Sequence, residues 1–364
     1  MQLCRPLAVA DAPNITIIGA GLIGLCTAEA LSARGARVTV LDAQPGPCEG
    51  TSFSNSGMIH PSQALSWAET IVDAAALDAA RVTVDLGKRS REILLGMKKR
   101  LGLPMRQDGC VQIYDDLGAA QAAQTLFNQI GVRANILIDQ IDTFGQAACQ
   151  FPEDSSGDSR AFGCALAADL ARRGVAFIYS ASDIEFRPTQ TGFGVRTGGR
   201  IIKADHLILA AGIKTAQLLA TVEIRMQLEA VSGTAADFSR PVEAGDLPAY
   251  PVMDTQSRSA LTVFEDRVRI SGGWGLTDPA SLIERWRDLA PGLMLRLGEP
   301  LSTWTGVRPV SPVGRPYISA TSKPGLWVNT GHGHMGWTLC AGSGELLAEM
   351  ILDGRKGAQF GFSG

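Results

Sequence analysis

Near the start of the chain, the spacing of apolar residues changes from that of a strand to that of a helix and back to that of a strand. A β-branched run at residues 15–18 precedes apolar positions at helical spacing over residues 25–31, and a second β-branched run covers residues 38–41. Short β-branched runs are typical of buried strands, and the spacing between them is typical of a helix. The pattern therefore predicts a strand, a helix and a strand, in the order of a βαβ unit.

The same criteria divide the rest of the chain. Helices are predicted over residues 67–101, 117–130, 160–174 and 285–297, with a closing helix that ends at residue 352. Strands are predicted over residues 109–114, 176–179, 184–186, 201–212, 250–253, 260–264, 268–271 and 326–329. The strand-rich part between residues 222 and 300 predicts an antiparallel sheet separate from the βαβ unit.

Glycines lie between the first predicted strand and its helix. Gly19, Gly21 and Gly24 have the spacing that permits a tight turn, close approach to a pyrophosphate and close packing of helix on strand. The helix N-terminus presents free N–H groups to phosphates, and Asp42 ends the second strand, where an acid binds a ribose hydroxyl. This arrangement predicts a dinucleotide site; the alternative is a Gly-rich turn in an α/β domain.

A long loop over residues 43–67 is dense in Gly, Ser and Pro. It would be unusual in a simple NAD-binding fold, which continues with another helix and strand. Hydroxyl and amide side chains lie together in it beside a glycine: Thr51, Ser52, Asn55, Ser56 and Gly57. We expect this backbone to lie against a large, flat, polar ligand; the alternative is a solvated, Ser-rich turn.

A second glycine cluster, at residues 331–336, repeats the GxGxxG spacing between a strand and a helix. The residues after it leave no room for the further strand and acid of a complete nucleotide unit. We therefore interpret it as a helix N-terminus whose partial positive charge suits a developing anion. A reduced flavin carries such a charge at its N1–C2=O edge.

Composition restricts the partners more than the fold. Of 364 residues, 45% are hydrophobic and 19% are charged, and the formal net charge is −3. This balance argues against nucleic acid and favours small molecules as partners. Seven cysteines without a CxxC motif favour a reducing compartment and predict no metal site. Residues 12–28 are too short for a membrane span and residues 1–13 lack a secretory signal, so a cytoplasmic location is expected.

Six stretches of the sequence are distinctive enough to be compared with known families: ITIIGAGLIG, GTSFSNSGMIHP, LILAAG, YPVMDTQSRSALTVFEDRVRISGG, WTGVRPVSPVGRP and VNTGHGHMGWTLCAGSGELLA. In these stretches and in their order the chain resembles the flavin-dependent D-amino acid oxidase superfamily, and most closely the small subunit of bacterial D-amino acid dehydrogenase. The TSFxNxG and GHGxxGWT segments are the specific ones. Met58 and His60 stand where the family's loop typically has Gln and Ser.

The resemblance implies an α/β fold, in which a Rossmann-like FAD-binding domain carries an inserted α+β substrate domain built on an antiparallel sheet. The FAD-binding domain would comprise residues 12–66, 151–221 and 304–364. The substrate domain would comprise residues 67–150 and 222–303.

The resemblance also implies FAD as cofactor and oxidative deamination of a D-amino acid to a 2-oxo acid and ammonia. Hydride would pass to flavin N5, and the electrons to a quinone, O2 or another acceptor. One alternative is oxidation of a secondary amine or imino acid, such as sarcosine, D-proline, hydroxyproline or an opine, by one subunit of a complex. A non-catalytic FAD-binding subunit is the alternative of another class. Contact with a partner subunit or the inner membrane stays open.

Site residues follow from the resemblance by position. Arg308 would bind the substrate carboxylate bidentately, His60 and His334 would tune the protonation of the amine or the charge of the flavin, and Tyr250 would form a pocket wall. A structural role is the alternative for each of them. The expected FAD contacts are Gly19, Ala20, Gly21, Leu22, Ile23, Gly24, Asp42, Ala43, Thr51, Ser52, Asn55, Ser56, Gly57, Met58, Ile184, Gly212, Gly333, His334, Met335, Gly336, Trp337 and Thr338.

Overall fold

The secondary structure comes from a computed structural model, which describes residues 12–65, 67, 73–137, 147–241 and 247–362. Its helices are α1 Leu22–Ser32, α2 Ala74–Leu101, α3 Leu117–Gln129, α4 Ser159–Arg172, α5 Lys214–Ala220, α6 Pro279–Leu289, α7 Pro291–Leu297 and α8 Gly336–Leu352. Residues 1–11 of the predicted lead-in and residues 68–72 of the predicted 67–101 helix lie outside the described residues.

The strands in the same part of the chain are short, apart from β14 and β18. They are β1 Asn14–Ile18, β2 Arg37–Leu41, β3 Met58–Ile59, β4 Met105–Arg106, β5 Cys110–Tyr114, β6 Asn135–Leu137, β7 Ala147–Phe151, β8 Ser155–Gly157, β9 Ala176–Ile178, β10 Glu185–Thr189, β11 Gly192–Thr197, β12 Arg200–Ala204, β13 His206–Leu209, β14 Glu229–Ser239, β15 Val252–Asp254, β16 Ser259–Val263, β17 Arg267–Gly272, β18 Ser302–Val310, β19 Tyr317–Ala320 and β20 Leu326–Thr330.

A six-stranded sheet has the order β19-β20-β13-β1-β2-β9. Its central strand β1 pairs in parallel with β2 and β13, and only β19 runs antiparallel to its neighbour. The β-branched residues of β1 and β2 are almost all buried, as strands covered on both faces require. Helices α1 and α8 pack against this sheet in one apolar cluster. The predicted βαβ unit is confirmed, and it is joined by β9 and β13 from the middle third of the chain and by β19 and β20 from the last third.

An eight-stranded sheet has the order β18-β14-β17-β16-β15-β5-β7-β6. Its pairs are antiparallel except β15 with β5. Helices α6 and α7 cover one face and bury Trp286 completely. The predicted antiparallel sheet is therefore confirmed, and so is the fold class that combines it with a Rossmann-like sheet. Two smaller antiparallel sheets, β10-β11-β12 and β3-β8-β4, connect these parts.

The domain boundaries stay a prediction. The strands of the eight-stranded sheet come from residues 110–114, 135–137, 147–151, 229–239, 252–254, 259–263, 267–272 and 302–310. The boundary predicted between residues 303 and 304 therefore falls inside β18.

Two predicted elements were wrong in their extent. The helix predicted over residues 285–297 is two helices, because Pro291 has no N–H to continue α6 and disfavours helical backbone at Ala290, whose φ is −141°. The strand predicted over residues 201–212 is also two strands. Asp205 interrupts it, and its carboxylate accepts a hydrogen bond of 2.7 Å from the Asn14 N–H. Among the described residues, no helix is both long and apolar enough to cross a bilayer.

Candidate active site

A cavity of about 620 Å³ opens where the parallel strands β1, β2 and β13 end. Its volume is within the range of small-molecule and cofactor sites, and the carboxyl ends of parallel strands are the usual ligand position in such sheets. The predicted residues that line it are Gly19, Gly21, Leu22, Ile23, Asp42, Ala43, Thr51, Ser52, Asn55, Ser56, Met58, His60, Ile184, Gly212, Arg308, Gly333, His334, Gly336 and Trp337.

The turn between β1 and α1 forms one end of the cavity. Gly19 has a φ of 119°, and a Cβ there would lie 2.4 Å from the Ala210 carbonyl oxygen. A Cβ on Gly24 would lie 1.9 Å from the Gly19 oxygen, so helix and strand touch at this point. Gly21 is the N-cap of α1, and the Ser52 hydroxyl accepts a hydrogen bond from the Leu22 N–H at 3.2 Å. Gly19 and Gly24 thus have the turn and packing roles that their spacing predicts, and the pyrophosphate contact of Gly21 stays a prediction.

Asp42 lies at the end of β2 and faces the same cavity. Its carboxylate accepts hydrogen bonds from the Ala20 N–H at 2.6 Å and the Gln44 N–H at 2.8 Å. An ionised carboxylate has about four acceptor positions, so acceptor capacity is left for hydroxyl groups of a ligand.

The second glycine cluster lines the same cavity. A short 3-10 turn, Gly333–Met335, leads directly into α8 at Gly336. His332 lies just before this turn and is buried, and burial lowers its pKa to about 3. The imidazole of His332 is therefore neutral at physiological pH. The predicted helix N-terminus is confirmed as an element, and it lies beside a neutral histidine.

His60 and His334 are close together, with ring centroids 6.3 Å apart. Burial lowers the pKa of His60 to about 4. Burial also lowers the pKa of His334, and electrostatic interactions with His60, Arg308 and Arg258 lower it further. The His334 Nε2 is 2.8 Å from the Gln63 carbonyl oxygen, which can only accept, so Nε2 carries the proton. Both rings are neutral near pH 7 and unsuited to act as strong bases.

Arg308 reaches the cavity from β18, the edge strand of the eight-stranded sheet. Its Nη1 donates to the carbonyl oxygens of Ser232 at 3.0 Å and Gly273 at 2.9 Å. Burial lowers the pKa of Arg308 to about 10, which leaves the guanidinium charged at neutral pH. Space for it depends on Gly233, where a Cβ would lie 2.2 Å from Nη1. Within the described chain no carboxylate forms an ion pair with Arg308.

Some predicted residues lie behind the cavity wall. Tyr250 packs against the apolar cluster of the eight-stranded sheet and is not among the lining residues, which favours the structural alternative for it. The Thr338 hydroxyl accepts from the His60 backbone N–H at 3.0 Å, which fixes the loop against α8. The others outside the lining have packing or backbone roles: Ala20, Gly24, Gly57 and Met335.

The sequence is matched by a family model described as FAD dependent oxidoreductase, over residues 14–350. The chain belongs to this family. FAD is accordingly its cofactor, as the glycine turns and the flavin-like loop predict.

Solved structures with a similar fold include two named as oxidases and one named as a dehydrogenase. They are glycine oxidase from Geobacillus kaustophilus (TM-score 0.81, 20% identity, 97% of this chain and 99% of that one), L-proline dehydrogenase from P. horikoshii (0.79, 20%, 95% and 95%) and iminodiacetate oxidase from a Chelativorans species (0.77, 21%, 93% and 95%). At these identities the likeness shows the fold.

The cavity of this FAD-dependent oxidoreductase fits its cofactor in one further respect. Four buried polar atoms of lining residues have no hydrogen-bond partner within the described chain: His60 Nδ1, Ser271 Oγ, Asn329 Oδ1 and His332 Nε2. Buried polar atoms nearly always have partners, and a polar ligand in the cavity would supply them. When bound, FAD supplies a two-electron acceptor for a carbon-bound hydrogen.

Several lining residues were missed by the sequence analysis. Trp67, Gly233, Arg258 and His332 contribute to the site or to the room in it. Arg258 and His332 lie within stretches that carry the family resemblance, but neither matches a general motif. Trp67 stacks on His334 with a centroid distance of 4.0 Å and an interplanar angle of 10°. No sequence signal links these two residues, because 266 positions separate them.

Proposed function

We propose that the protein oxidises the C–N bond of an amino acid whose carboxylate is bound by Arg308. The observation that carries this proposal is a buried, charged guanidinium without a carboxylate partner in the described chain, in the same cavity as the FAD-binding turn. A guanidinium fork matches a carboxylate with two parallel hydrogen bonds. Such a bond would orient Cα and its hydrogen, and orientation supplies a large part of the barrier reduction.

The reaction removes a hydride from Cα and a proton from the nitrogen, and leaves an imino acid. Water then converts the imino acid to a 2-oxo acid and ammonia. Because His60 and His334 are neutral and hard to protonate, we infer that the substrate reacts as the neutral amine. The resemblance to the small subunit of D-amino acid dehydrogenase supports the D configuration and a quinone or other acceptor.

A second candidate is oxidation of a secondary amine or imino acid. Two similar structures carry names that support it, L-proline dehydrogenase and iminodiacetate oxidase. A third reading, a non-catalytic FAD-binding subunit, predicts that no substrate bleaches the flavin. Anaerobic bleaching against D-amino acids, L-amino acids and N-alkyl glycines distinguishes the three.

Replacement of Arg308 tests the carboxylate site. We expect Arg308→Ala to lower kcat/KM. The loss of transition-state stabilisation should be roughly 3–5 kcal/mol, the usual cost of removing one member of a buried charge pair. Arg308→Lys should recover part of the loss, because a point charge cannot form two parallel hydrogen bonds. Arg225→Ala is the matched control, because Arg225 is exposed between α5 and β14.

The substrate itself provides the matching test. Conversion of its carboxylate to an amide should weaken the reaction of the wild type strongly and that of Arg308→Ala little. Equal discrimination between acid and amide by both enzymes would show that Arg308 does not contact the carboxylate.

A further inference from the structure

A second arginine, Arg258, lines the same cavity as Arg308. It lies in the turn between β15 and β16 and has a φ of 52°, which a side chain seldom adopts without a local reason. Its Nη1 donates to the Trp67 carbonyl oxygen at 2.7 Å. Its guanidinium carbon lies 5.9 Å from the centroid of the Trp67 ring and 5.8 Å from that of Trp274.

One residue, Gly273, connects the two arginines through its backbone. The Gly273 N–H donates to the Arg258 carbonyl oxygen at 3.0 Å, and the Gly273 carbonyl oxygen accepts from Arg308 Nη1 at 2.9 Å. The preceding Gly272 has no room for a side chain, since a Cβ would lie 2.4 Å from the Arg258 oxygen. The turn at the end of β17 therefore holds the backbone of Arg258 and the guanidinium of Arg308 at neighbouring positions.

The acids near Arg258 do not neutralise it. Asp254, in the same turn, accepts from Arg285 Nε at 2.8 Å and Nη2 at 3.0 Å and from the Ser257 hydroxyl. The acidic residues that line the cavity are Asp42, Glu49 and Asp183, which belong to the segments around β2 and after β9. In the described part of the chain, neither Arg258 nor Arg308 forms an ion pair with a carboxylate.

This leaves one more positive charge than an amino acid carboxylate requires. Arg258 is partly buried, and its guanidinium has five N–H donors. The bond to the Trp67 oxygen uses one of those of Arg258. The two indole rings hold the guanidinium by cation–π contact, which leaves its remaining donors for a ligand.

We propose that Arg258 binds a second acidic group of the substrate. The substrate would then be an amino acid or imino acid with two carboxylates, one at Arg308 and one at Arg258. The proposal rests on the function proposed above, since it assumes that Arg308 binds the first carboxylate.

Binding of unreactive acids tests the second site without any oxidation. Succinate and butyrate have the same number of carbons and differ in one carboxylate, and glutarate and pentanoate form a second pair. Their affinities for the FAD-loaded protein can be measured by calorimetry and by the change in flavin absorbance. We expect the diacid of at least one pair to bind tenfold or more tightly than its monoacid, and Arg258→Gln to abolish this difference. Arg258→Lys should retain part of it, and Arg225→Gln all of it.

Kinetics test the same residue during turnover, with D-glutamate against D-2-aminopentanoate and iminodiacetate against N-ethylglycine. Arg258→Gln should lose at least tenfold more kcat/KM on the diacid of a pair than on its monoacid.

An equal loss on both would show that Arg258 acts only by positioning Trp67, and would overturn the proposal. So would a wild type that binds the monoacid and diacid of both pairs equally, a comparison that needs no variant. Preferential binding of diacids by a protein that oxidises no amine would instead refute the proposed function and leave the second acid site standing.

Discussion

Asp42 is a side chain held by the fold that we also expect to bind the cofactor. Two backbone N–H groups already hold its carboxylate, from Ala20 and Gln44, and its remaining acceptor positions face the cavity. We expect Asp42→Ala to weaken FAD binding by roughly 1.5–3 kcal/mol, the usual contribution of hydrogen bonds to a charged group. Substrate preference should not change, because the expected partner is the ribose.

Titration of the apoprotein with FAD, followed by the flavin fluorescence, measures this effect. Asp85→Ala is a suitable control, because Asp85 is exposed on α2. An unchanged FAD affinity in Asp42→Ala would remove Asp42 from the cofactor site.

Asp154 is a buried acid outside the cavity lining, and it makes stability depend on pH. Burial raises its pKa to about 7, against the opposing effects of hydrogen bonds from Ser62 and the charge of Arg91. The folded protein thus keeps this proton up to about pH 7, whereas the unfolded chain releases it near pH 3.8. Between these values the folded state binds more protons, so this group's contribution to stability falls as pH rises from about 4 to 7.

Asp154→Asn should remove this dependence, because the amide resembles the protonated acid and does not titrate. The Tm of the variant relative to the wild type should therefore rise between pH 5 and pH 7.5. Since one pKa unit corresponds to about 1.4 kcal/mol, the free energy of unfolding of the variant relative to the wild type should change by a few kcal/mol over this range. Asp85→Asn should show a constant difference over the same range. A constant difference for Asp154→Asn as well would mean that Asp154 is ionised throughout.

At the scale of elements, the pairing of β14 with β18 places Arg308. Gly233 on β14 lies opposite Gly306, two residues from Arg308, and a Cβ on Gly233 would lie 2.2–2.5 Å from the atoms of the guanidinium group. A guanidinium is the flexible end of its side chain, so Gly233→Ala should move it at little cost in stability. We expect kcat/KM to fall about 10- to 100-fold, the scale of a misplaced binding group.

The matched control is Gly194→Ala in β11, where a Cβ would make an ordinary contact of 3.6 Å with Ile201. FAD content and Tm should be close to wild type in both variants. If Gly233→Ala keeps full activity, the guanidinium does not need its present position, and the carboxylate site would have to lie elsewhere.

What the sequence could predict depends on how local each feature is. The turn from β1 to α1 and the acid at the end of β2 lie within 29 residues, so spacing alone predicted them. The site of Arg308 is formed by β14, β17 and β18. A periodic pattern of apolar residues does not predict the strand register that places Gly233 against the Arg308 guanidinium. Resemblance supplied Arg308, but neither pattern nor resemblance supplied Gly233. The same limit applies to the expected position of Tyr250, since a strand pattern does not say which neighbours its residues contact.

At the scale of the whole molecule, helices from the two ends of the chain begin at one cavity. The glycine turns of α1 and α8 both line it, and the helices pack against each other in one apolar cluster. At their contact, a Cβ on Gly344 would lie 2.7 Å from the backbone of Cys26 and Thr27. Arg34 and Glu345 add an ion pair across the same helices at 2.6 Å. The packing distance therefore sets the separation of the two helix N-termini.

Gly344→Ala should push the helices apart, because its new methyl group meets backbone rather than a movable side chain. We expect a loss of about 1–3 kcal/mol in the free energy of unfolding, the usual cost of overpacking, both with and without FAD. FAD affinity should fall as well, because the two N-termini would no longer have the spacing that fits one cofactor.

Gly96→Ala is the matched control, since Gly96 is exposed in α2 with nothing within 4 Å of a Cβ. It should raise stability slightly through helix propensity and leave FAD affinity unchanged. A Gly344→Ala protein as stable as the wild type would show that the helices are not in backbone contact there. A less stable protein with full FAD affinity would show that their packing distance does not control the cofactor site.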